Sequence, residues 1–393
     1  MSNKKQIVFI SISSDLYGSS KLLLTLVLQL KKLSKEFHPI VCLPYEEGLL
    51  KDRLIRENIE IVEMPVLKLK REMLKSLKFQ QFFKDYKMAK KILHAKLNGR
   101  KIHCVHSNTL ATLFGSIYCF RRNTVHLFHI HEIMDTPWYI KYFFSLLQLI
   151  FANKIVYNSN ATERFYTNTI GLLKKKSTMI FNGVERLRPF LNNAQVLQLK
   201  SELFKSNADD ILIGLIGRFN RLKGHKLLLE AFKTIHLNHP NVKLCLVGSP
   251  PDGQEHFLHD IKDKIEKEGM TSNVVILPFQ EDIYSIIDSL DIIVVPSTEP
   301  ESFGIIAVEA MLSKRIVIAS NLGGLADVID HNVTGLLFEP NNKEELTKAI
   351  SKVIEDADLK KDLERKAYLK AKEKFSSESM TRKFISVYNA IEQ

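Results

Sequence analysis

Two glutamates eight positions apart, Glu301 and Glu309, are the residues of this chain whose spacing most clearly indicates a reaction site. The apolar run 291–295 predicts a buried strand and a helical pattern follows the loop, so one carboxylate lies in the loop and the other about one and a half turns into the helix. The first backbone N–H groups of that helix, at residues 303–306, can bind an anion. Carboxylates for sugar or ribose hydroxyls beside amides for a phosphate predict a nucleotide-sugar site.

A second candidate lies after the strand predicted at 211–216, in the loop Gly217-Arg218-Phe219-Asn220-Arg221-Leu222-Lys223-Gly224. Two cations on such a strand-to-helix loop can neutralise the negative charge that develops on the oxygens of a leaving diphosphate, and this loop offers Arg218, Arg221 and Lys223. The glycines fit neither the dinucleotide fingerprint Gly-x-Gly-x-x-Gly nor a P-loop.

These motifs resemble those of the retaining glycosyltransferases of family 4, which have the GT-B fold and a signature of Glu, seven residues and Glu. Three further motifs match in the expected order: His131-Glu132, Asn182-Gly183-Val184 and the loop Gly323-Gly324. The family more often has Asp where Glu132 stands, and Glu where Asp327 follows the glycine pair.

The resemblance implies a role for each candidate. Glu309 would hold the ribose hydroxyls, Arg218 and Lys223 the diphosphate, and Glu301 with His131 the hydroxyls of the donor sugar. The catalytic candidates are Glu301, His131, Arg218 and Lys223. The donor-binding candidates are Arg218, Lys223, Glu301, Ser302, Phe303, Gly304, Ile305 and Glu309. The implied mechanism is a front-face displacement in which the leaving phosphate helps to deprotonate the acceptor, so no protein nucleophile is required.

The loop after the first strand departs from the family pattern. Related enzymes usually have two adjacent glycines there, which let the backbone approach the phosphate and the acceptor. Here Tyr17 stands beside Gly18, so Gly18 alone is the acceptor-side candidate. Ser19 or Ser20 is expected to cap a helix that begins at Lys21.

The elements that must position these residues alternate between apolar runs and helical patterns, which predicts parallel α/β layers. Strands are predicted at 7–12, 39–43, 59–63, 102–106, 125–131, 154–158, 178–181, 211–216, 242–247, 274–277, 291–295, 316–319 and 336–338. A chain of 393 residues exceeds one ordinary core. The predicted fold class is α/β, with two Rossmann-like doubly wound domains of the GT-B type facing across a cleft.

The predicted domain boundaries follow the change in pattern along the chain. We expect an acceptor-side domain at 1–190, a polar connection at 191–210 and a nucleotide-sugar-binding domain at 211–375. By the resemblance, a C-terminal helix at 376–393 returns to the N-terminal domain.

The net charge of +12 is concentrated between Lys68 and Lys101. In this segment apolar residues repeat at helical spacing among the lysines, at Phe79, Phe82, Tyr86, Ala89, Leu93 and Leu97. Two interpretations stay open: a surface helix packed on its own sheet with solvated lysines, or a helix drawn to an anionic membrane face. Nucleic acid is not expected as a partner.

The remaining composition argues against several classes of site. The four cysteines, Cys42, Cys104, Cys119 and Cys245, lie in or beside apolar segments without Cys-x-x-Cys spacing, which predicts reduced core residues. His129 and His131 alternate, but no third ligand stands at convincing spacing, so neither a metal nor another cofactor is expected.

No apolar run is long enough to span a bilayer, and no signal-peptide pattern precedes the first strand. These two observations predict a cytoplasmic protein, which would be peripheral on the inner membrane face if the basic helix binds lipid.

The predicted function is therefore metal-independent transfer of a sugar, of the retaining hexosyltransferase type, from a UDP- or GDP-sugar to a hydroxyl acceptor. A lipid-linked glycan is the suggested acceptor, in envelope or surface glycan synthesis. Two alternatives stay open. One is a non-catalytic nucleotide-sugar-binding subunit of a glycan-assembly complex. The other is a glycan phosphorylase or hydrolase, in which two catalytic carboxylates would face each other across the sugar.

Overall fold

The computed structural model describes residues 4–16, 18–69, 79–186 and 188–391. The chain divides into two compact units, the first formed by Met1–Val184 with Ser376–Gln393 and the second by Glu185–Phe375. Each unit is built on one parallel sheet with helices around it.

In the described part of the chain the strands are β1 (Lys5–Ile10), β2 (Phe37–Leu43), β3 (Glu60–Glu63), β4 (Ile102–Ser107), β5 (Val125–Ile130), β6 (Lys154–Tyr157), β7 (Ser177–Met179), β8 (Ile211–Ile216), β9 (Val242–Val247), β10 (Val274–Leu277), β11 (Ile292–Val295), β12 (Ile316–Ser320) and β13 (Leu336–Phe338). The α-helices are α1 (Gly18–Leu33), α2 (Leu49–Arg56), α3 (Phe79–Leu97), α4 (Phe114–Cys119), α5 (Trp138–Phe151), α6 (Asn160–Thr169), α7 (Asn193–Phe204), α8 (His225–Asn238), α9 (His256–Lys267), α10 (Ile283–Ser289), α11 (Ile305–Leu312), α12 (Leu325–Val328), α13 (Lys343–Glu355), α14 (Ala357–Lys374) and α15 (Ser377–Asn389). Every predicted strand is present, with ends shifted by two residues or fewer.

The first unit has a seven-stranded sheet in the order β3-β2-β1-β4-β5-β6-β7. The order reverses between β1 and β4, which is the doubly wound arrangement. The C-terminal helix α15 completes this unit, because Met380, Phe384 and Tyr388 are buried in the same core as β1 and α1. The Tyr388 hydroxyl also hydrogen-bonds His106 Nδ1 on β4 at 2.7 Å.

The second unit has a six-stranded sheet in the order β10-β9-β8-β11-β12-β13. Its reversal lies between β8 and β11, which pair in parallel through Ile213 and Ile292. The loops that leave these two strands therefore emerge side by side at the carboxyl edge of the sheet.

The predicted connection at 191–210 is wrong in part, because it contains α7 and belongs to the second unit, which starts at Glu185. Asn192 caps this helix in a capping box with Gln195. Only Lys200 and Phe204 of α7 are buried, so the hydrophobic period that identifies a helix from sequence is weak here.

Within the basic segment, residues 70–78 and the side chain of Phe79 lie outside the described residues. Ala89, Leu93 and Leu97 of α3 are buried in the core of the first unit, while most of its lysines are exposed. The described part is thus a surface helix packed on its own sheet. The four cysteines are buried and unpaired, as predicted. Among the helices described, none combines the length and the apolar content that a membrane crossing demands.

Candidate functional site

The first candidate loop joins β8 to α8, and its own side chains hold it. Phe219 is fully buried, and its ring stacks on that of His225 with centroids 4.3 Å apart. Asn220 Oδ1 accepts hydrogen bonds from the N–H groups of Leu222 and Lys223 at 3.0 and 3.2 Å. These contacts close a turn at Arg221–Lys223 and fix the backbone from which the Lys223 side chain extends.

Gly224 lets this loop touch the loop that follows β11. It has a φ of 68°, and a Cβ at this position would lie 1.9 Å from Pro296 O. Only glycine fits such an approach between backbones. The two loops therefore meet at the switch point of the sheet, where doubly wound folds bind their ligands.

An ion pair joins the two loops at this point. Lys223 Nζ donates to Glu301 Oε1 at 2.6 Å, and the hydroxyl of the buried Ser297 donates to the same oxygen. Burial raises the pKa of Glu301, but the charge of Lys223 and the two hydrogen bonds lower it by more. The pKa of Glu301 therefore lies below its ordinary value. Glu301 is thus an anion at neutral pH, held by a cation from the neighbouring strand.

The loop that carries Glu301 is backed by the glycine pair after β12. Gly323 has a φ of 59°, and a Cβ there would lie 2.4 Å from Glu301 O. A Cβ on Gly324 would lie 2.5 Å from Phe303 Cα, and Gly324 N donates to Glu301 O at 2.7 Å. Side chains at either glycine would push the Glu301 loop away from β12, so this pair sets the position of the carboxylate.

The helix that follows this loop, α11, begins at Ile305 as predicted, after Gly304 with a φ of 90°. Ser302 and Phe303 complete the loop, and the Phe303 ring is buried against Phe375 with centroids 5.7 Å apart. The first N–H groups of an α-helix have no acceptor within the helix, which suits an anion. The predicted donor-binding residues 301–305 therefore form one continuous loop and helix start.

Glu309 lies in the second turn of α11 and is only 5% exposed. Burial and then the charge of Glu309 raise the pKa of Tyr284. The Tyr284 hydroxyl donates to Glu185 O at 2.9 Å. A buried carboxylate in this helix can accept hydrogen bonds from two hydroxyls of one ligand.

The two arginines of the first loop differ in their surroundings. Arg218 is exposed at the end of β8. Arg221 forms an ion pair with Glu299, and its side chain is 71% exposed. Burial, and then the Lys223 charge, lower the pKa of the adjacent His225 to about 3, so this histidine is neutral and adds no charge to the loop.

On the acceptor side, the structure places Gly18 at the start of α1 with a φ of 42° and open space where a Cβ would lie. The prediction that α1 begins at Lys21 is wrong by one turn, so Ser19 and Ser20 lie inside the helix rather than at its cap. Tyr17 lies outside the described residues.

His131 and Glu132 follow β5 and are held by the loop after β4. Asn108 Nδ2 donates to Ser19 O at 2.9 Å, which turns Asn108 Oδ1 toward His131 Nε2 at 3.2 Å. The carboxylate of Glu132 accepts from Thr109. Burial lowers the pKa of His131 to about 3, so its ring is neutral at neutral pH. A sugar hydroxyl can reach Nε2 only in exchange for Asn108, and the predicted sugar contact of His131 stays a prediction.

Sequence reasoning missed how the loops are joined. Lys223 was assigned to a phosphate and Glu301 to a sugar, whereas in the structure each is the partner of the other. Ser297 was also missed. The usable signal was the doubly wound strand order, which makes β8 and β11 neighbours although these residues are 78 positions apart. Among the described residues, no group of three or more His, Cys, Asp or Glu is placed to hold a metal ion.

Comparison with known proteins gives consistent matches. Residues 198–370 match the family model described as glycosyl transferases group 1. The capsular polysaccharide biosynthesis glycosyltransferase CapM of Staphylococcus aureus is 24% identical over 294 residues, which cover 71% of this chain and 74% of that protein. The uncharacterized glycosyltransferase MJ1607 of Methanocaldococcus jannaschii is 30% identical over 182 residues, so the chain spans only 45% of that relative's length.

Among solved structures, Anabaena Alr3699/HepE in complex with UDP and glucose is similar with a TM-score of 0.82 at 22% identity, covering 98% of this chain and 99% of that one. This likeness concerns the fold. Sheets of seven and six parallel strands in two units are the GT-B arrangement, so the predicted fold class is confirmed.

Proposed function

Because residues 198–370 match the family model described as glycosyl transferases group 1, we propose that the chain is a member of this family and transfers a sugar from a UDP-sugar to a hydroxyl acceptor with retention of configuration. The ion pair between Lys223 and Glu301 carries this proposal. It puts a cation suited to a diphosphate 2.6 Å from a carboxylate suited to sugar hydroxyls, at the switch point of the sheet.

The proposed reaction uses the groups of this site in a single displacement. The bond between the anomeric carbon and the diphosphate oxygen breaks, and its electron pair leaves with the diphosphate. Arg218 and Lys223 neutralise the charge that develops there. The acceptor oxygen bonds to the anomeric carbon on the same face, and its proton passes to a diphosphate oxygen. Glu301 orients the sugar hydroxyls.

We assign Glu309 to the ribose hydroxyls of the nucleotide. Its burial in α11, which starts at the loop of Glu301, supports this assignment. The role of His131 at the donor sugar rests on the family resemblance alone. The positive charge for the leaving group comes from side chains, so we propose that no divalent metal is needed; turnover that persists in EDTA is the expected result.

The similar proteins suggest the donor and the setting. Anabaena Alr3699/HepE was solved with UDP and glucose, which favours UDP over GDP as the carrier. CapM of Staphylococcus aureus is named for capsular polysaccharide biosynthesis, which favours an envelope glycan pathway. We therefore propose a lipid-linked glycan acceptor, met at the cytoplasmic face of a membrane.

The test is calorimetric titration of the full chain with UDP, GDP and ADP, followed by transfer from labelled UDP-sugars. Of the three nucleotides, UDP should bind most tightly. Glu309→Ala should weaken UDP binding by roughly 10- to 150-fold, as expected for the loss of charged hydrogen bonds. Glu299→Ala is the matched control, since this carboxylate pairs with Arg221. Equal affinity of the unmodified chain and Glu309→Ala for UDP would remove Glu309 from the site.

A further inference from the structure

Helix α5 of the first unit has an outer face made of large apolar and aromatic side chains. Its exposed residues are Trp138, Tyr139, Tyr142, Phe143, Leu146 and Ile150. Trp138 is 72% exposed, and Leu146 and Ile150 are each 49% exposed. A helix that packs on a soluble unit normally presents polar residues outward. Here every exposed position of the helix is apolar or aromatic, and we call this set of six the α5 face.

The spacing makes the α5 face continuous. Positions 138, 142, 146 and 150 follow one another at four-residue steps along one side of the helix, and 139 and 143 widen the same side. The opposite side of the helix packs against the sheet of the first unit, since Phe144 and Leu147 are buried in the core with β5 and β6. In contrast, α3 buries its own apolar side in the core.

The chain around this helix is richer in basic than in acidic residues. From Arg121 to Lys176 it contains 8 Lys or Arg and 3 Asp or Glu. At the C-terminal end of α5 the Phe151 ring contacts that of Phe120 with centroids 5.1 Å apart, next to exposed Arg121 and Arg122.

A second basic segment lies against the same end of the helix. Lys176 Nζ donates to the carbonyls of Leu149 and Ala152 at 2.8 and 2.7 Å. It is preceded by exposed Lys174 and Lys175. An aromatic and aliphatic surface with cations at its edge is complementary to an anionic lipid bilayer, where ring side chains enter the headgroup level and cations meet phosphates.

We propose that the α5 face is a monotopic membrane-binding surface that lies in the headgroup region of an anionic bilayer. With 14 residues, α5 is about 21 Å long, which is too short to cross a hydrocarbon core of about 30 Å. It suits insertion parallel to the surface. The inference rests on the proposed function in one respect only: a lipid-linked acceptor gives the enzyme a reason to stay at a membrane.

A second copy of the chain is a poorer occupant. Two-fold association would place the same patch against itself and bring together two copies of a chain with a net charge of +12. Like charges in contact oppose such an interface. A lipid surface instead supplies the opposite charge.

The protein carries its own reporter, because Trp138 is its single tryptophan and lies in the α5 face. The full chain is mixed with vesicles of phosphatidylglycerol and phosphatidylcholine, or of phosphatidylcholine alone. We expect a blue shift of tryptophan emission and co-sedimentation with the anionic vesicles, both weakened by salt because the attraction is screened. An unchanged spectrum and no sedimentation with anionic vesicles at low salt would overturn the proposal.

Variants separate the apolar and the charged parts. The apolar variant is Tyr142→Gln, Leu146→Gln and Ile150→Gln, which keeps the reporter. Its control, in the second unit, replaces the exposed leucines Leu197, Leu237 and Leu369 with Gln. We expect the α5 variant to bind anionic vesicles about tenfold more weakly or worse, because burying apolar area drives insertion. The control should bind as the unmodified chain does, and equal losses in both would overturn the proposal.

The charged variant replaces Arg121, Arg122, Lys174 and Lys175 with Gln. The matched control replaces four exposed lysines of α3: Lys84, Lys87, Lys91 and Lys96. The first set should reduce vesicle binding more, since screened attraction acts over about 10 Å. Equal reduction would mean attraction by net charge alone and would refute the assignment to α5.

Two further measurements distinguish lipid binding from contact between copies of the chain and from nucleotide binding. If the apolar variant changes the oligomeric state in light scattering while vesicle binding stays normal, the face is a contact between copies and the proposal falls. UDP affinity is measured on the same samples and should be equal in all variants. Normal vesicle binding without UDP binding would count against the proposed function, but it would still support membrane binding by the α5 face.

Discussion

Lys223 and Arg221 lie two residues apart in one short turn, yet their side chains reach different carboxylates. Lys223 pairs with the partly buried Glu301, whereas Arg221 pairs with Glu299 on the surface. The turn capped by Asn220 creates this division, because it directs the two side chains to different parts of the loop after β11. Two cations of similar charge can therefore be compared as site and control.

We expect Lys223→Ala and Arg218→Ala each to lower turnover roughly 10²- to 10³-fold, as when preorganised charge at a leaving group is removed. Arg221→Ala should stay within a few-fold of the unmodified enzyme, since exposed ion pairs contribute little. Initial rates with a UDP-sugar at saturation measure this. A loss in Arg221→Ala equal to that in Lys223→Ala would show that only the net charge of the loop matters.

At the scale of elements, the position of Glu301 depends on a loop from another strand. Gly323 and Gly324, after β12, contact the backbone of residues 301–303, as the short distances to a Cβ show. From sequence, this pair is predicted to be scaffold. The scaffold nevertheless determines where the carboxylate of Glu301 meets Lys223.

We expect Gly323→Ala to lower both stability and UDP affinity, because the added Cβ would lie 2.4 Å from Glu301 O. Gly269→Ala is the matched control, since Gly269 also has a positive φ, of 68°, but open space at the Cβ position. Each change strains the backbone by about 1–2 kcal/mol. The affinity loss should appear only in Gly323→Ala. Calorimetric titration and thermal unfolding measure both effects, and equal UDP affinities would contradict this role of Gly323.

The strands β4 and β5 make the first unit sensitive to acid. Burial lowers the pKa of His126 to about 4 and that of His131 to about 3, and it lowers the pKa of His106 and His129 well below the ordinary value. Below the ordinary histidine pKa of about 6.5 the unfolded chain takes up protons that the folded unit does not. With respect to these histidines, the free energy of unfolding should therefore be highest above this pH and should fall as the pH drops toward 4.

The rings of His129 and Phe384 pack together, with centroids 4.8 Å apart, so His129→Phe is a conservative way to remove one of these titrations. We expect it to reduce the slope of stability against pH by up to one proton, or about 1.4 kcal/mol per pH unit. Denaturant unfolding at several pH values between 7.5 and 4.5 gives this slope. A stability of the unmodified chain that does not change over this range would refute the argument.

The sequence predicted elements well where their pattern is strong. Strands buried on both faces are runs of β-branched residues, such as Ile292–Val295, and all were located. The helix α7 was missed because it buries only two residues. The α5 face was not predicted, because a sequence does not show which side of a helix its own core covers. Motif spacing identified the candidate site residues, whereas the pairing of Lys223 with Glu301 was missed because it depends on strand order, which the motifs do not give.

At the scale of the whole molecule, the first unit depends on the last residues of the chain. Phe384 and Tyr388 of α15 are fully buried there, and His103 Nε2 donates to Tyr388 O at 2.8 Å. Loss of one large core side chain costs about 3–5 kcal/mol, and a whole domain is stable by only about 5–15 kcal/mol.

We expect Phe384→Ala with Tyr388→Ala to unfold the first unit at 25 °C or leave it marginal, while the second unit still binds UDP. Arg382→Ala with Lys383→Ala, at exposed positions of the same helix, is the control and should change little. Limited proteolysis maps the unfolded part and calorimetry measures UDP affinity. Resistance of residues 4–184 to protease in the first double variant would contradict this dependence.

The packing of the C-terminal helix α15 into the first unit also affects the order in which the protein folds during its synthesis. Residues emerge from the ribosome in chain order, and domains generally fold in that order, the N-terminal one first. Here the second unit is complete once Phe375 has emerged, whereas the core of the first unit still lacks Met380, Phe384 and Tyr388. The half that is synthesised first must therefore finish folding last. During that interval its open core is the part of the nascent chain that most needs a chaperone.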